Sequence, residues 1–365
     1  MTERINPIQM LTWNHLNVNE AGKEFKLAVV PEGGFGKADI TITKEAGASA
    51  AVTYGEIPSV CGQTISGVGE LFDEYVKKNA NCVYSLVADG DDGMVREDLR
   101  LTKDAQAAVV LCGIHAKAGS KVSLMQVLRS DEDVEGLAAS LTQIYAEKGS
   151  EVRLIQVSLA GDKSRRWNGL AIDEEADAHV DVIRVELGAE TSAVGSRSRL
   201  TGDNSDYSIH TVYFVDGKRF ADFNDTAEFY GKETHSEIHA TGVLAASAHK
   251  VLRETVDFKH GSVHAVGHEG EDVVMFGDEV VNKTTPLILC GEEWVEGQHA
   301  ATTTQLDERM LYYLESRGLS PAEAKRIMID AKICPVTDLI PDESIRDEIA
   351  ANVGRRLDLI DEFNV

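Results

Sequence analysis

Residues 114–127 run IHAKAGSKVSLMQV, and residues 144–157 repeat the same order of apolar and polar positions as IYAEKGSEVRLIQV. At an offset of 30, eight of the fourteen positions are identical. A third copy follows 28 residues later at 172–187, IDEEADAHVDVIRVEL, and a fainter one stands at 42–52, ITKEAGASAAV. Each copy reads as a short strand, a tight turn of small residues and a second strand, because side chains on a strand alternate between two faces. In the second strand the alternation slips by one residue. Val122 and Leu124 give way to Met125 and Val127, and the slip recurs at Leu154–Ile155 and Val182–Ile183. In a fixed register a slip moves the apolar set to the other face, so a bulge or corner that keeps both halves pointing inward is expected. Such units describe a chain winding in flat coils, which bury their apolar faces only by stacking. Residues 38–305 therefore read as mostly β, in a solenoid.

Asp131–Glu147 carries an alternative: Val134, Leu137, Leu141 and Ile144 fit a helical period, which would make a βαβ unit. Ile144–Ala146 matches Ile114–Ala116 inside the repeat, which favours a strand from about 139. The C-terminal residues read differently. In LDERMLYYLESR (306–317), Leu306, Met310, Tyr313 and Leu314 share a face, and Gly318 stops the helix. Ser320-Pro-Ala-Glu323 is a capping box that opens a second helix through Ala324, Ile327, Met328 and Ala331. After Pro335 and Pro341 a third helix carries Ile345, Ile349, Val353 and Leu357. The chain thus divides into an N-terminal segment (1–37), a β core (38–305) and a C-terminal helical domain (306–365).

Charge narrows the function classes. The 365 residues hold 36 Lys and Arg against 61 Asp and Glu, a net charge of −25. Phosphate backbones and anionic lipid would repel this chain, so nucleic-acid and membrane-surface roles are not expected. No apolar run is long enough to span a membrane. The N-terminus lacks a basic-then-apolar signal peptide, and the five widely spaced cysteines include no C-x-x-C. Reduced thiols and a cytoplasmic location are the expectation.

Few motifs carry chemistry. Gly33-Gly-Phe-Gly36-Lys37 lacks the spacing of a phosphate loop and reads as a turn. His260, His264 and His268 are spaced by four, as are His235 and His239 in HSEIH. A metal site there needs further converging ligands; solvated surface histidines are the ordinary reading. No Gly-x-Ser-x-Gly elbow is present, and no catalytic constellation stands out. The unusual stretch is PLILCGEEWVEGQHAATTT (286–304), at the seam between β core and helices, with Cys290, Glu296 and His299. Imidazole and thiolate suit iron.

Extended to PLILCGEEWVEGQHAATTTQLDERMLYYLESRGL, this seam resembles the C-terminal signature of the SufB/SufD family of iron–sulfur cluster assembly proteins. TWNHLNVNEAG (12–22) and KVLRETVDFKHGSVHAVGHEGEDVVMF (250–276) resemble other parts of that family. The resemblance implies a right-handed parallel β-helix followed by a helical domain. It implies a non-enzymatic scaffold that pairs with SufB through the β-helix and holds the ATPase SufC through its C-terminal helices. No tightly bound cofactor is implied, only a transient iron–sulfur cluster at the interface with SufB, and a homodimer when the chain is isolated. In SufB the matching histidine is flanked by glutamates; here the flanks are Gln298 and Ala300, which points to the SufD side. Its interface histidine carries over to His299, a candidate iron or cluster ligand. Some SufD sequences have a cysteine two residues earlier, where this chain has Gly297. Cys290 is expected to be a buried thiol. For SufC the first two C-terminal helices are the candidates, with Tyr312, Tyr313, Arg317, Ala324 and Met328. Two rival readings remain: a stand-alone SufB-like homodimeric scaffold, and a β-helix polysaccharide lyase or hydrolase.

Overall fold

The computed structural model describes residues 4–22, 25–45, 47–48, 50–305 and 308–363. A short 3₁₀ turn (Asn14–Leu16) precedes β1 (Asp39–Lys44), β2 (Ala51–Tyr54) and helix α1 (Glu70–Asn79). Strands then follow one another: β3 (Cys82–Ala88), β4 (Asp91–Leu101), β5 (Ala107–Ala116), β6 (Lys121–Ser130), β7 (Leu137–Ala146) and β8 (Glu151–Leu159). They continue as β9 (Arg165–Glu174), β10 (His179–Glu186), β11 (Thr191–Leu200), β12 (Asp206–Val215), β13 (Phe220–Phe229) and β14 (His235–Ala245). The last are β15 (His249–Phe258), β16 (Val266–Phe276), β17 (Val281–Cys290) and β18 (Glu296–Gln305), before α2 (Glu308–Ser316), α3 (Pro321–Thr337) and α4 (Glu343–Phe363). Even-numbered strands from β4 to β18 stack in one sheet, here sheet A, and odd-numbered strands from β3 to β17 stack in sheet B. All these pairings are parallel. The chain alternates between sheets, which makes a β-solenoid of about eight turns. The segment 131–147 contributes strand β7, not a helix.

The turn between the two strands of a coil follows one rule. Gly119 (φ 68°), Gly149 (67°), Asp177 (59°), Asn204 (58°), Glu233 (55°) and His264 (64°) occupy equivalent corners, all left-handed. Each donates its backbone N–H to a carbonyl of the following coil: Gly119 to Lys148, Gly149 to Ala176, Asp177 to Asp203, and onward to His264, which donates to Trp294. The corner column satisfies backbone groups that the strands do not reach. The faint copy at 42–52 departs from this rule. Its strands β1 and β2 join sheets A and B antiparallel, against β4 and β3, and residues 46 and 49 of that copy lie outside the described residues.

The slip in alternation has a cause other than a bulge. β6, β8, β10 and β12 pair without a register shift. Val122 and Leu124 point into the coil, Gln126 occupies the next inward position, and Met125 and Val127 point outward. The outward set stays dry because α3 and α4 lie on it: Met125, Ile155, Ile183 and Val212 pack with Ile329, Ile333, Ile345 and Ile349. Both faces of these strands are buried, and the polar residue at the slip is an inward one. Arg96–Asp342 (2.7 Å), Arg129–Glu348 (2.9 Å) and Arg356–Asp216 (3.0 Å) fasten the helices to the coils.

The outer face of sheet B is covered from the other terminus. Phe72 and Val76 of α1, with Ile5 and Phe25, pack on Val109 and Trp167. Asn6 donates to Asp222 (2.7 Å), which also receives Arg253 (2.6 Å), and Arg253 reaches back to the carbonyl of Val18. The N-terminal segment is thereby held by fully buried charge.

The C-terminal helices follow their local signals. Residues 306–307 lie outside the described residues; α2 begins at Glu308, and Gly318 (φ 97°) closes it with its N–H on the carbonyl of Glu315. Ser320 and Glu323 form the reciprocal capping box. α3 runs through Pro335 to Thr337, further than the proline suggests, because a proline in the last turn forfeits a single hydrogen bond. The turn lies at Pro31–Gly34, with the N–H of Gly34 on the carbonyl of Pro31 (2.9 Å), and residues 35–37 follow it without regular structure.

Candidate functional site

The solenoid ends in an uncovered coil. β18 is the last strand of sheet A and β17 the last of sheet B. All ten residues of β18 are exposed, so a row of backbone groups has no strand to pair with. Next to this edge the inward-facing side chains of β15 and β16 include the charged Lys250, Glu254, Glu269 and Glu271 beside the apolar Val256 and Phe258.

His299 stands on β18 in register with Glu269 of β16, which is in register with Ile238 of β14. Ile238 belongs to the inner core, so the column faces the lumen and His299 is its outermost member. The imidazole is exposed and forms no hydrogen bond or ion pair with another described residue. Beneath it the Glu269 carboxylate, 3% exposed, crosses to sheet B and accepts from the backbone N–H of Val256 (2.9 Å) and Leu287 (3.2 Å). Burial pushes its pKa up to about 8, and the two N–H groups oppose that rise.

One step deeper along the strand, Glu271 accepts from Lys250 Nζ (2.5 Å), from the Tyr213 hydroxyl (2.5 Å) and from the Thr284 hydroxyl. Burial lowers the pKa of Lys250, while Glu271 raises it. Glu254, 2% exposed, keeps one oxygen without a partner among the described residues. Burial holds its proton far above the usual carboxylate range, reinforced by Glu271 and Glu269. Three carboxylates thus face one ammonium at the mouth of the lumen.

Sequence reasoning misses these groups, although a signal exists: in KVLRETVDF, every second residue from Lys250 faces inward, and two of the five are charged. Cys290 corrects an expectation. It is exposed at the end of β17, with Sγ 3.5 Å from the carbonyl of Glu292, because its strand has no coil above it. The three histidines spaced by four do not share a face. His260 lies in a loop beside Glu292 (3.5 Å), His264 is a corner residue, and His268 points outward from β16.

On the C-terminal helices, Tyr312 (74%) and Tyr313 (50%) are exposed on α2, and the Arg317 guanidinium lies 5.1 Å from the Tyr313 ring. Met328 is half-buried on α3 and Ala324 is fully buried. Met310 and Ile327, about as exposed as each other at 46% and 47%, add apolar surface to the same two helices.

Fold and site together define a β-solenoid with helical covers, left open and polar at one end. Comparison with known proteins narrows that class. The family described as "SUF system FeS cluster assembly, SufBD core domain" matches residues 99–332. The chain is 27% identical to the iron–sulfur cluster assembly protein SufD of Bacillus subtilis over 160 residues, 44% of this chain and 37% of that protein. It is 20% identical to SufD of Escherichia coli over 242 residues, 66% of this chain and 56% of that one. A chloroplastic SufBD family protein of Arabidopsis thaliana shares 24% over 241 residues, covering 63% and 43% of the two chains. The matched stretches therefore span 37% to 56% of these relatives' own lengths. The chain belongs to the SufB/SufD family of iron–sulfur cluster assembly proteins. Among the described residues, no helix is long and apolar enough to cross a membrane.

Proposed function

We propose that this chain is a SufD-type scaffold subunit in iron–sulfur cluster assembly, with His299 donating one ligand to iron or to a nascent cluster at a subunit interface. The observation that carries this reading is the position of His299: an exposed imidazole without a partner among the described residues, on the terminal strand of the core domain that defines the family. Glu269 and Glu271 below it are engaged by backbone N–H groups, Lys250, Tyr213 and Thr284, so the imidazole is free to donate at this edge. Among the described residues no three His, Cys, Asp or Glu side chains converge to hold a metal ion. A cluster at His299 takes its remaining ligands from a partner. The partner in this reading is SufB, which joins at the unpaired edge of β18, where strand addition completes the backbone pairing. SufC binds the exposed face of α2 and α3 around Tyr312, Tyr313, Arg317 and Met328.

The test is co-expression with SufB and SufC. His299→Ala leaves the folded chain and its complex with SufC intact and lowers the iron and sulfide recovered with the complex. A truncation at Gln305 removes SufC from the purified assembly. Unchanged cluster yield in His299→Ala reduces the histidine to a surface residue, and retention of SufC by the truncated chain moves its site off the helices.

A further inference from the structure

The outer face of sheet A carries histidines on consecutive coils, on the side of the strands opposite the lumen that the His299 column faces. His210 and His239 are register partners, and their column continues through Gly270 and Ala300. In the adjacent column Glu237 is in register with His268, followed by Gln298. The small residues leave a groove of about 330 Å³ lined by His239, His268, Glu237, Gln298 and Asp272. Asp272 is held to α3 by Lys332 (2.6 Å), which closes that end.

Two details show that the groove presents donors and not only space. A Cβ at position 270 would lie 2.8 Å from Nδ1 of His239, so the imidazole lies over a floor that only glycine leaves open. Nε2 of His268 is shielded from water and has no hydrogen-bond partner among the described residues. Glu237 is exposed and forms no ion pair with a described residue.

We propose that this groove binds a divalent transition-metal ion through His239, His268 and Glu237. Two imidazoles and a carboxylate suit borderline ions such as zinc, nickel or ferrous iron and disfavour calcium or magnesium. Register partners on neighbouring strands stand about 5 Å apart and the diagonal pair about 7–8 Å. Two side chains meeting an ion at about 2 Å each close such a span. No three donors already converge among the described residues; rotation of His268 and Glu237 toward His239 assembles the set. Water and Gln298 complete the coordination. The site is independent of the assembly reading, because it uses the opposite face of β16 from Glu269.

Cobalt(II) is the probe, titrated into the full chain and followed by its visible absorption. The wild type is expected to take up one ion per chain with nitrogen–oxygen ligand-field bands. His239→Ala/His268→Ala loses those bands or weakens binding at least about tenfold. Gly270→Ala retains every donor and also weakens binding, because its methyl displaces His239; it keeps the test decisive if the double variant fails to fold. His179→Ala, two coils further along the same face, binds as the wild type does. Identical titrations for wild type, the double variant and Gly270→Ala overturn the proposal, as does loss of the bands in His299→Ala alone.

Discussion

His299 and Glu269 stand side by side on the last two strands of sheet A, one exposed at the open edge and the other bridging the lumen to sheet B. The carboxyl titrates at about 8 instead of an ordinary 4.5, with burial as the main cause. Between those values the folded chain keeps a proton that the unfolded chain releases. Stability therefore falls as pH rises through that window. Glu269→Gln removes the dependence. Urea unfolding is expected to show the wild type losing roughly 3 kcal/mol relative to the variant between pH 5 and 8. Parallel curves at both pH values would show that Glu269 titrates normally.

A second pH response comes from the outer face, where the raised groups are histidines that gain charge as pH falls. Asp206 lies 3.1 Å from Nδ1 of His179 and 3.3 Å from Nδ1 of His235. Hydrogen bonding to Asp206 raises both histidines, and Asp206 is lowered by the two histidines against the cost of its burial. Asp181, Glu151 and Glu237 also face the pair and favour the charged imidazoles. The stabilisation is complete below the histidines' unfolded pKa and is lost as pH rises through their raised folded values. Asp206→Asn should cost about 1 kcal/mol at pH 5.5, after allowance for solvent at these half-exposed rings, and much less at pH 8.5. A gap that is the same at both pH values would remove the His179–Asp206–His235 contacts as its cause.

The buried pair Lys250–Glu271 offers a test in the lumen. Both side chains are shielded from water, so Lys250→Met leaves an uncompensated carboxylate and should cost roughly 3–5 kcal/mol. Adding Glu271→Gln removes the stranded charge and should restore most of the loss. A double variant as unstable as the single one would locate the cost in packing around Tyr213 instead.

The corner column predicts opposite effects from two exchanges at equivalent positions. A methyl added at Gly149 meets no neighbour within 4 Å, so Gly149→Ala costs only the left-handed strain, roughly 1–2 kcal/mol. Glu233→Gly relieves that strain at φ 55° and should stabilise by roughly 0.5 kcal/mol after the entropy of glycine is counted. Thermal melting of the two variants reads both signs; destabilisation by both would refute the shared corner geometry.

The same column explains how much of the fold is legible in the sequence. Gly119 and Gly149 use one residue type for one backbone conformation, so those coils align by eye. Later corners place Asp177, Asn204, Glu233 and His264 in the same conformation, and the repeat fades from the sequence while it persists in the backbone. The slip at Leu124–Met125 is visible, but its meaning is not. It depends on α3 and α4 covering the outer face, a contact between segments some two hundred residues apart. The capping box at Ser320 is legible because its partners lie within one turn. His299 comes into view only through a family signature, since nothing in its immediate neighbours marks an exposed imidazole at an open edge. Cys290 misleads for the same reason: whether another coil lies above a strand is not written in that strand.

Because each corner from Gly119 to His264 hands its N–H to the following coil, the coils behave as interchangeable units of one strand spacing, about 4.8 Å. The distance from β1 and β2, which pair with the first coil, to the open edge at His299 is therefore quantised. A duplicated or deleted coil would lengthen or shorten the molecule by one such step and leave the chemistry of either end unchanged. The solenoid acts as a ruler, and its eight turns set how far apart the surfaces at its two ends are presented.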